Sequence, residues 1–284
     1  TIDGLQKMID SVDIYSREYD LDINLSKTKI VVFRNRGLVK ATEKWYLNDV
    51  DIELCDEFTY LGLLFKYNGN FVHTQKMLAN HGRKALFSLY SKIYDDCFNH
   101  ETMLSLFDTY VSSILNYSCE VWGHHKAENI EKVHLSFLKR ILKVKTTTVN
   151  YMVYSELGRY PLYIERYCRM LRYWFKLLKT DNCILQSCYQ EMLERSILKP
   201  RDKQNWACEI RNILFRYGCQ DVWLHQNVIN VDHFLLEIVN RMKGSFVSEM
   251  NAFFNESSKC IFYRYIHNPD TLQFYLQKPV KLCF

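Results

Sequence analysis

Apolar residues follow two different rhythms along this chain, and the change falls near residue 70. Ile2 to Tyr19 carries Leu5, Met8, Ile9, Val12, Ile14 and Tyr15, a spacing that predicts one amphipathic helix. Lys29-Ile30-Val31-Val32-Phe33 is β-branched and too short for a helix, so a buried strand is expected there. Trp45-Tyr46-Leu47 and Asp51-Ile52-Glu53-Leu54 flank the polar Asn48-Asp49-Val50 and predict a hairpin. Thr59 to Phe65 reads as a further strand that breaks on Gly62, and Asn68-Gly69 as a turn.

From Phe71 onward the helical period takes over. Met77 to Tyr94 repeats Leu78, Ala85, Leu86, Leu89 and Ile93. Asn99 is a candidate N-cap with Glu101 in the first turn of a helix presenting Met103, Leu104, Leu106, Phe107, Tyr110, Val111, Ile114 and Leu115. Further helices are predicted at about Ala127 to Leu142, Leu162 to Lys179, Asp202 to Tyr217, Val222 to Leu224, Asp232 to Met242 and Phe246 to Phe254. Lys199-Pro200-Arg201-Asp202 is the best linker, and no repeat of constant period is present. The expected fold class is therefore α+β, mostly α.

Composition agrees with long helices, since only 9 Gly and 4 Pro interrupt 284 residues. The net charge of +5 is unevenly placed: residues 1–60 hold 8 basic and 12 acidic side chains, residues 126–179 hold 12 and 4. A basic middle behind an acidic start suits a polyanion-binding face, or equally a set of solvated helix surfaces. The ten cysteines include no CxxC, and the His124–His125 pair matches no zinc spacing, so reduced buried thiols and no metal site are expected. That usage, with no apolar run of membrane-spanning length, predicts an intracellular protein of nucleus or cytoplasm with no membrane partner.

Four blocks, in this order, carry a resemblance. They are Asn24-Leu25-Ser26-Lys27-Thr28-Lys29 running into Ile30 to Phe33, then Tyr60-Leu61-Gly62, Leu106-Phe107-Asp108, and Tyr117-Ser118-Cys119-Glu120-Val121-Trp122-Gly123. Together they resemble the part of a non-LTR (LINE-type) retrotransposon reverse transcriptase that follows the catalytic strand. The likeness covers about residues 1 to 175. It implies a partial palm over residues 1–70 with a small antiparallel sheet, a helical thumb over 71–180, and a helical C-terminal extension over 181–284. Asn24 to Phe33 and Tyr60 to Phe65 should then lie side by side in one sheet, whose unpaired edge favours self-association.

The same resemblance implies roles. Nucleotidyl transfer needs Mg²⁺ held by carboxylates and benefits from a cation beside the leaving pyrophosphate. In this family the metal-binding aspartates precede the first block, so the chain is expected to begin just after them and to hold no cofactor itself. Lys27 matches the position of a general acid, although by spacing alone it is a solvated loop lysine. Tyr60 and Gly62 match the primer grip, where a residue without Cβ lets backbone approach a strand. Lys29 is a further candidate contact. Lys132, Lys139, Arg140, Lys143 and Lys145 recur at three- and four-residue steps and could follow a phosphate backbone. Trp122 is expected to anchor the thumb bundle, and Glu120 to make a helix-end hydrogen bond. Tyr94-Asp95-Asp96 is superficially like the catalytic signature but lacks its intervening residue, and it is expected to end a helix.

Two functions follow as expectations. One is a fragment of an RNA-directed DNA polymerase, inactive alone, that binds RNA template and DNA primer weakly and lacks its N-terminal palm and fingers. The alternative is a non-enzymatic helical protein- or RNA-binding module derived from a retrotransposon. A helical scaffold whose likeness to polymerases is accidental is the third, bland reading.

Overall fold

Two units, Thr1–Thr74 and Gln75–Phe284, make up the chain in a computed structural model that describes residues 1–34, 37, 43–92, 98–124, 127–199, 205–260, 263–265 and 271–277. Tyr94-Asp95-Asp96 and the Pro200–Asp202 part of the expected linker lie outside these residues. Mostly helical with a few short strands, the chain is α+β as expected.

In the first unit the Thr1 hydroxyl caps α1 (Ile2–Glu18) by accepting from Gly4 N at 3.1 Å. Strands β1 (Lys29–Ile30), β2 (Tyr46–Leu47), β3 (Val50–Asp51), β4 (Glu53–Leu54), β5 (Glu57–Tyr60) and β6 (Leu63–Lys66) pair two by two. The β2–β3 hairpin turns on Asn48 and Asp49, both at positive φ (50° and 63°), as a two-residue turn between right-twisted strands requires. It docks on α1 through Gln6, whose amide exchanges two hydrogen bonds with the Tyr46 backbone, and through Trp45 Nε1 donating to Ile2 O at 3.0 Å. Trp45 and Leu47 are thereby buried. The rest of the α1 stripe is not: Met8, Val12 and Tyr15 are all more than half exposed.

The sheet differs from expectation in three ways. Lys29 to Phe33 is not one buried strand, because only Lys29–Ile30 joins a ladder and Phe33 is 61% exposed. That ladder, with Glu53–Leu54, is parallel rather than antiparallel. And Asn24 to Phe33 shares no sheet with Tyr60 to Phe65, since β5 and β6 pair with each other. The backbone hydrogen bonds trace where each ladder ends. Cys55 N donates to Ile30 O at 3.0 Å as the last bond of the parallel ladder, while Asp56 O, on the other edge of its strand, accepts from Tyr67 N at 2.8 Å in the β5–β6 hairpin. The 29–34 segment meets that hairpin again only at Arg34 N, which donates to Tyr67 O at 2.8 Å.

The second unit is helical. After α2 (Val72–Lys92), α3 (His100–Phe107) starts on Asn99, whose side chain accepts from Thr102 N at 2.8 Å. It continues through a π-helical turn, Asp108–Ser112, into α4 (Ser113–Leu115). Then come α5 (Cys119–Trp122), α6 (Glu128–Ile141), α7 (Asn150–Glu156), α8 (Tyr163–Leu178), α9 (Cys183–Leu198), α10 (Trp206–Arg216), α11 (Gln220–His225) and α12 (Val231–Glu256). The two helices expected at 232–242 and 246–254 are one, because the single Gly244 between them costs only about 1 kcal/mol of helix propensity. One core runs across residue 180: Met170, Leu171 and Trp174 of α8 pack with Tyr189 of α9, Ile210 and Leu214 of α10 and Ile238 of α12. Residues 271–277 lie against α7, where Leu157 bridges Leu272 and Gln273 donates through its side chain to Ser155 O at 3.1 Å. Gly158 (φ +58°) permits this, since a Cβ there would press on Thr271 C at 2.5 Å.

Candidate nucleic-acid interface

The first block folds as an Asx-type turn. Asn24 Oδ1 accepts from Lys27 N at 3.1 Å and from Ser26 Oγ at 2.7 Å, while Asn24 O accepts from Thr28 N at 3.0 Å and Thr28 Oγ1 at 2.9 Å. Asparagine and threonine are therefore explained by the turn itself. Lys27 is left exposed and, among the described residues, unpaired. Lys29 instead points into an ion pair with Glu53.

Tyr60-Leu61-Gly62 is the tip of the β5–β6 hairpin. Leu61 (φ 46°) and Gly62 (φ 80°) form its two-residue turn, so glycine is required by the turn whatever it approaches. Tyr60 and Leu61 are 60% and 73% exposed. Lys29, Val31, Phe33, Phe58, Tyr60 and Phe65 line an open cleft of about 350 Å³. The structure thus brings Lys29 and Tyr60 together, beside Gly62, and adds Phe33, whose sequence context points only to a strand.

In the second unit the remaining two blocks converge on packing. Phe107 is fully buried and stacks on Phe137 at 4.4 Å. Asp108, turned by the π segment, forms a bidentate pair with Arg159, one arm at 2.8 Å. Trp122, also fully buried, donates from Nε1 to Tyr117 O at 2.9 Å, as its expected anchoring role requires. Glu120 does more than end a helix: its carboxylate accepts from Arg169 Nε at 2.9 Å and its carbonyl from Trp206 Nε1 at 2.8 Å, tying α5 to α8 and α10. Gly123 is buried where a Cβ would collide with Cys119 O and meet Met170 Sδ at 3.2 Å. Gly123→Ala should therefore cost about 1–3 kcal/mol in urea denaturation by overpacking, and an unchanged midpoint would show that the site has room to relax.

The five basic candidates around α6 divide. Lys132 and Lys145 are exposed, and Lys143 (φ 55°) lies just past the helix end. Lys139 is spent locally, donating from Nζ to Thr146 O at 2.7 Å, with burial pushing its pKa down. Arg140 stacks over Tyr90, its Cζ 3.8 Å from the ring centre. On a regular helix Lys132 and Lys139 stand about 20° apart and Arg140 roughly 80° from Lys132, so their stems share one side.

Sequence reasoning missed Glu131, which caps α8 and pairs with Arg166, and no local signal marks it because its partners are more than thirty residues away. Among the described residues no group of three or more His, Cys, Asp or Glu side chains could hold a metal ion. No helix among them is long and apolar enough to cross a membrane. The eight described cysteines are free thiols; four are buried as expected, but Cys183 and Cys188 are exposed, because both stand on the solvent side of α9. The chain matches no family model, no curated protein and no solved structure.

Proposed function

We propose that this chain is the end of the palm, the thumb and a helical extension of a LINE-type reverse transcriptase, and that it retains weak binding to a template–primer duplex without polymerase chemistry. The observation that carries this reading is the Glu57–Lys66 hairpin. Its tip, with Gly62 at positive φ, brings bare backbone to the surface beside the exposed Tyr60, which is the geometry a grip on a nucleic-acid strand needs. The marked residues of the other blocks serve the fold that would present this hairpin and the helices: the Asn24 turn, the Asp108–Arg159 pair, the Trp122 anchor and the crowded Gly123 are structural contacts.

The 284 residues contain no Tyr-x-Asp-Asp. Primer extension with added Mg²⁺ should accordingly give no incorporation, and measurable incorporation by the purified chain would refute the reading. Duplex affinity should fall linearly with salt on logarithmic axes. Replacing Lys132 and Lys145 by Gln should flatten that slope by about 0.9 for each phosphate no longer neutralised. An unaltered slope would remove α6 from the interface. The alternative of a protein-binding module is favoured by the exposed Met8, Val12 and Tyr15 on α1, and affinity for RNA that is absent or indifferent to salt would select it.

A further inference from the structure

Lys29 lines the hairpin cleft, and its charge is already paired with Glu53. The neighbouring Arg34 and Lys66, outside the lining, are paired as well, with Asp56 at 2.8 Å and Glu57 at 2.9 Å. A cleft whose lining cation is held in an internal ion pair offers little net attraction to phosphate. Its lining is correspondingly apolar: Phe58, Phe65 and Val31 are half-buried, while Phe33 and Tyr60 are 61% and 60% exposed at the surface. Two aromatic side chains left open to water on a neutral cleft of about 350 Å³ are suited to a flat, uncharged ring system.

We infer that this cleft is a stacking site for an unpaired nucleobase, in which Phe33 and Tyr60 hold the base of a single strand while its phosphates stay in solvent. The site presupposes the nucleic-acid reading above and names the part of the strand it takes. It differs from the α6 lysines in physics, because stacking does not release counterions and so survives added salt.

The test uses the full chain and a short single-stranded oligonucleotide carrying 2-aminopurine, with an abasic strand of equal length as control. Binding should quench the 2-aminopurine, persist when salt is raised, and favour the base-bearing strand over the abasic one. Phe33→Ala and Tyr60→Ala should each weaken it about tenfold. Both side chains are mostly exposed, so their truncation leaves the unit folded, which far-UV circular dichroism checks. Equal affinity for the abasic strand, or variants indistinguishable from the parent, would overturn the inference. If in that case the duplex still binds with a slope set by Lys132 and Lys145, the wider reading stands and only the stacking site falls. If neither strand nor duplex binds the parent chain, both fall.

Discussion

Glu131→Ala should destabilise the helical unit by about 3–5 kcal/mol, a large share of the roughly 5–15 kcal/mol that holds a typical domain together. One carboxylate serves three donors there. Oε1 accepts from Arg166 Nη2 at 2.7 Å and from Tyr163 N at 2.9 Å, and Oε2 accepts from Leu162 N at 3.1 Å. The two amides belong to the start of α8, so the negative charge also sits at the positive end of that helix's dipole. The decisive partner is Arg166, whose side chain is 1% exposed. Removing the carboxylate leaves a buried guanidinium without its counter-charge, and that is what makes the effect large. Glu131→Gln keeps an acceptor for a helix amide but not the charge, and should fall between the parent and Glu131→Ala. Glu131→Leu combined with Arg166→Met removes both partners and should recover much of the stability. A Glu131→Ala variant that unfolds within about 1 kcal/mol of the parent in guanidinium chloride would show that Arg166 finds other compensation.

The contrast with what the sequence made legible is physical. Helices announced themselves because their signals are local: α1, α6 and α8 lie within two residues of expectation at each end, and Asn99 caps α3 as its type suggests. The Asn48-Asp49 turn was equally local. The strands were harder. Val31 and Val32 have every β-forming feature, yet the ladder with Glu53–Leu54 stops at Ile30 because the partner segment turns there into its own hairpin with β6. Nothing in residues 29–33 encodes that choice. The ion pairs between helices were hidden for the same reason. Glu131 carries no local mark, and Glu120 suggests only a helix-end hydrogen bond, until Arg166 and Arg169, on a helix folded back against them, fill the other half of each pair. Among the candidate site residues, Lys132 and Lys145 kept the exposure their spacing suggested. Lys29 and Lys139 were drawn into local partners that only the tertiary fold supplies.

Acidification should unfold the same unit through His134, and the sign follows from where its neutral form is needed. His134 is fully buried on α6, stacked on Phe107 at 5.2 Å and tilted against Tyr154 at 5.8 Å. Among the described residues neither ring nitrogen has a hydrogen-bond partner. Burial, with the Arg159 and Arg166 charges adding repulsion, lowers its pKa from 6.5 to about 3. Between those values the unfolded chain binds a proton that the folded chain refuses, so stability is complete above about pH 6.5 and declines as pH falls toward 3. The decline should reach about 2–3 kcal/mol near pH 4.5 and on the order of 4 kcal/mol at the lower end. Glu165 acts in the opposite sense: burial raises its pKa, so its contribution is greatest in acid and is lost as pH rises through its folded value. A single-site variant is therefore needed to isolate the histidine. His134→Leu removes the titrating ring but keeps an apolar side chain between Phe107 and Tyr154, and it should flatten the stability profile across this window. It should also gain stability at neutral pH, because two buried nitrogens without partners disappear with the ring. Urea midpoints at a series of pH values decide the matter, and a variant whose profile parallels the parent's would place the acid sensitivity elsewhere.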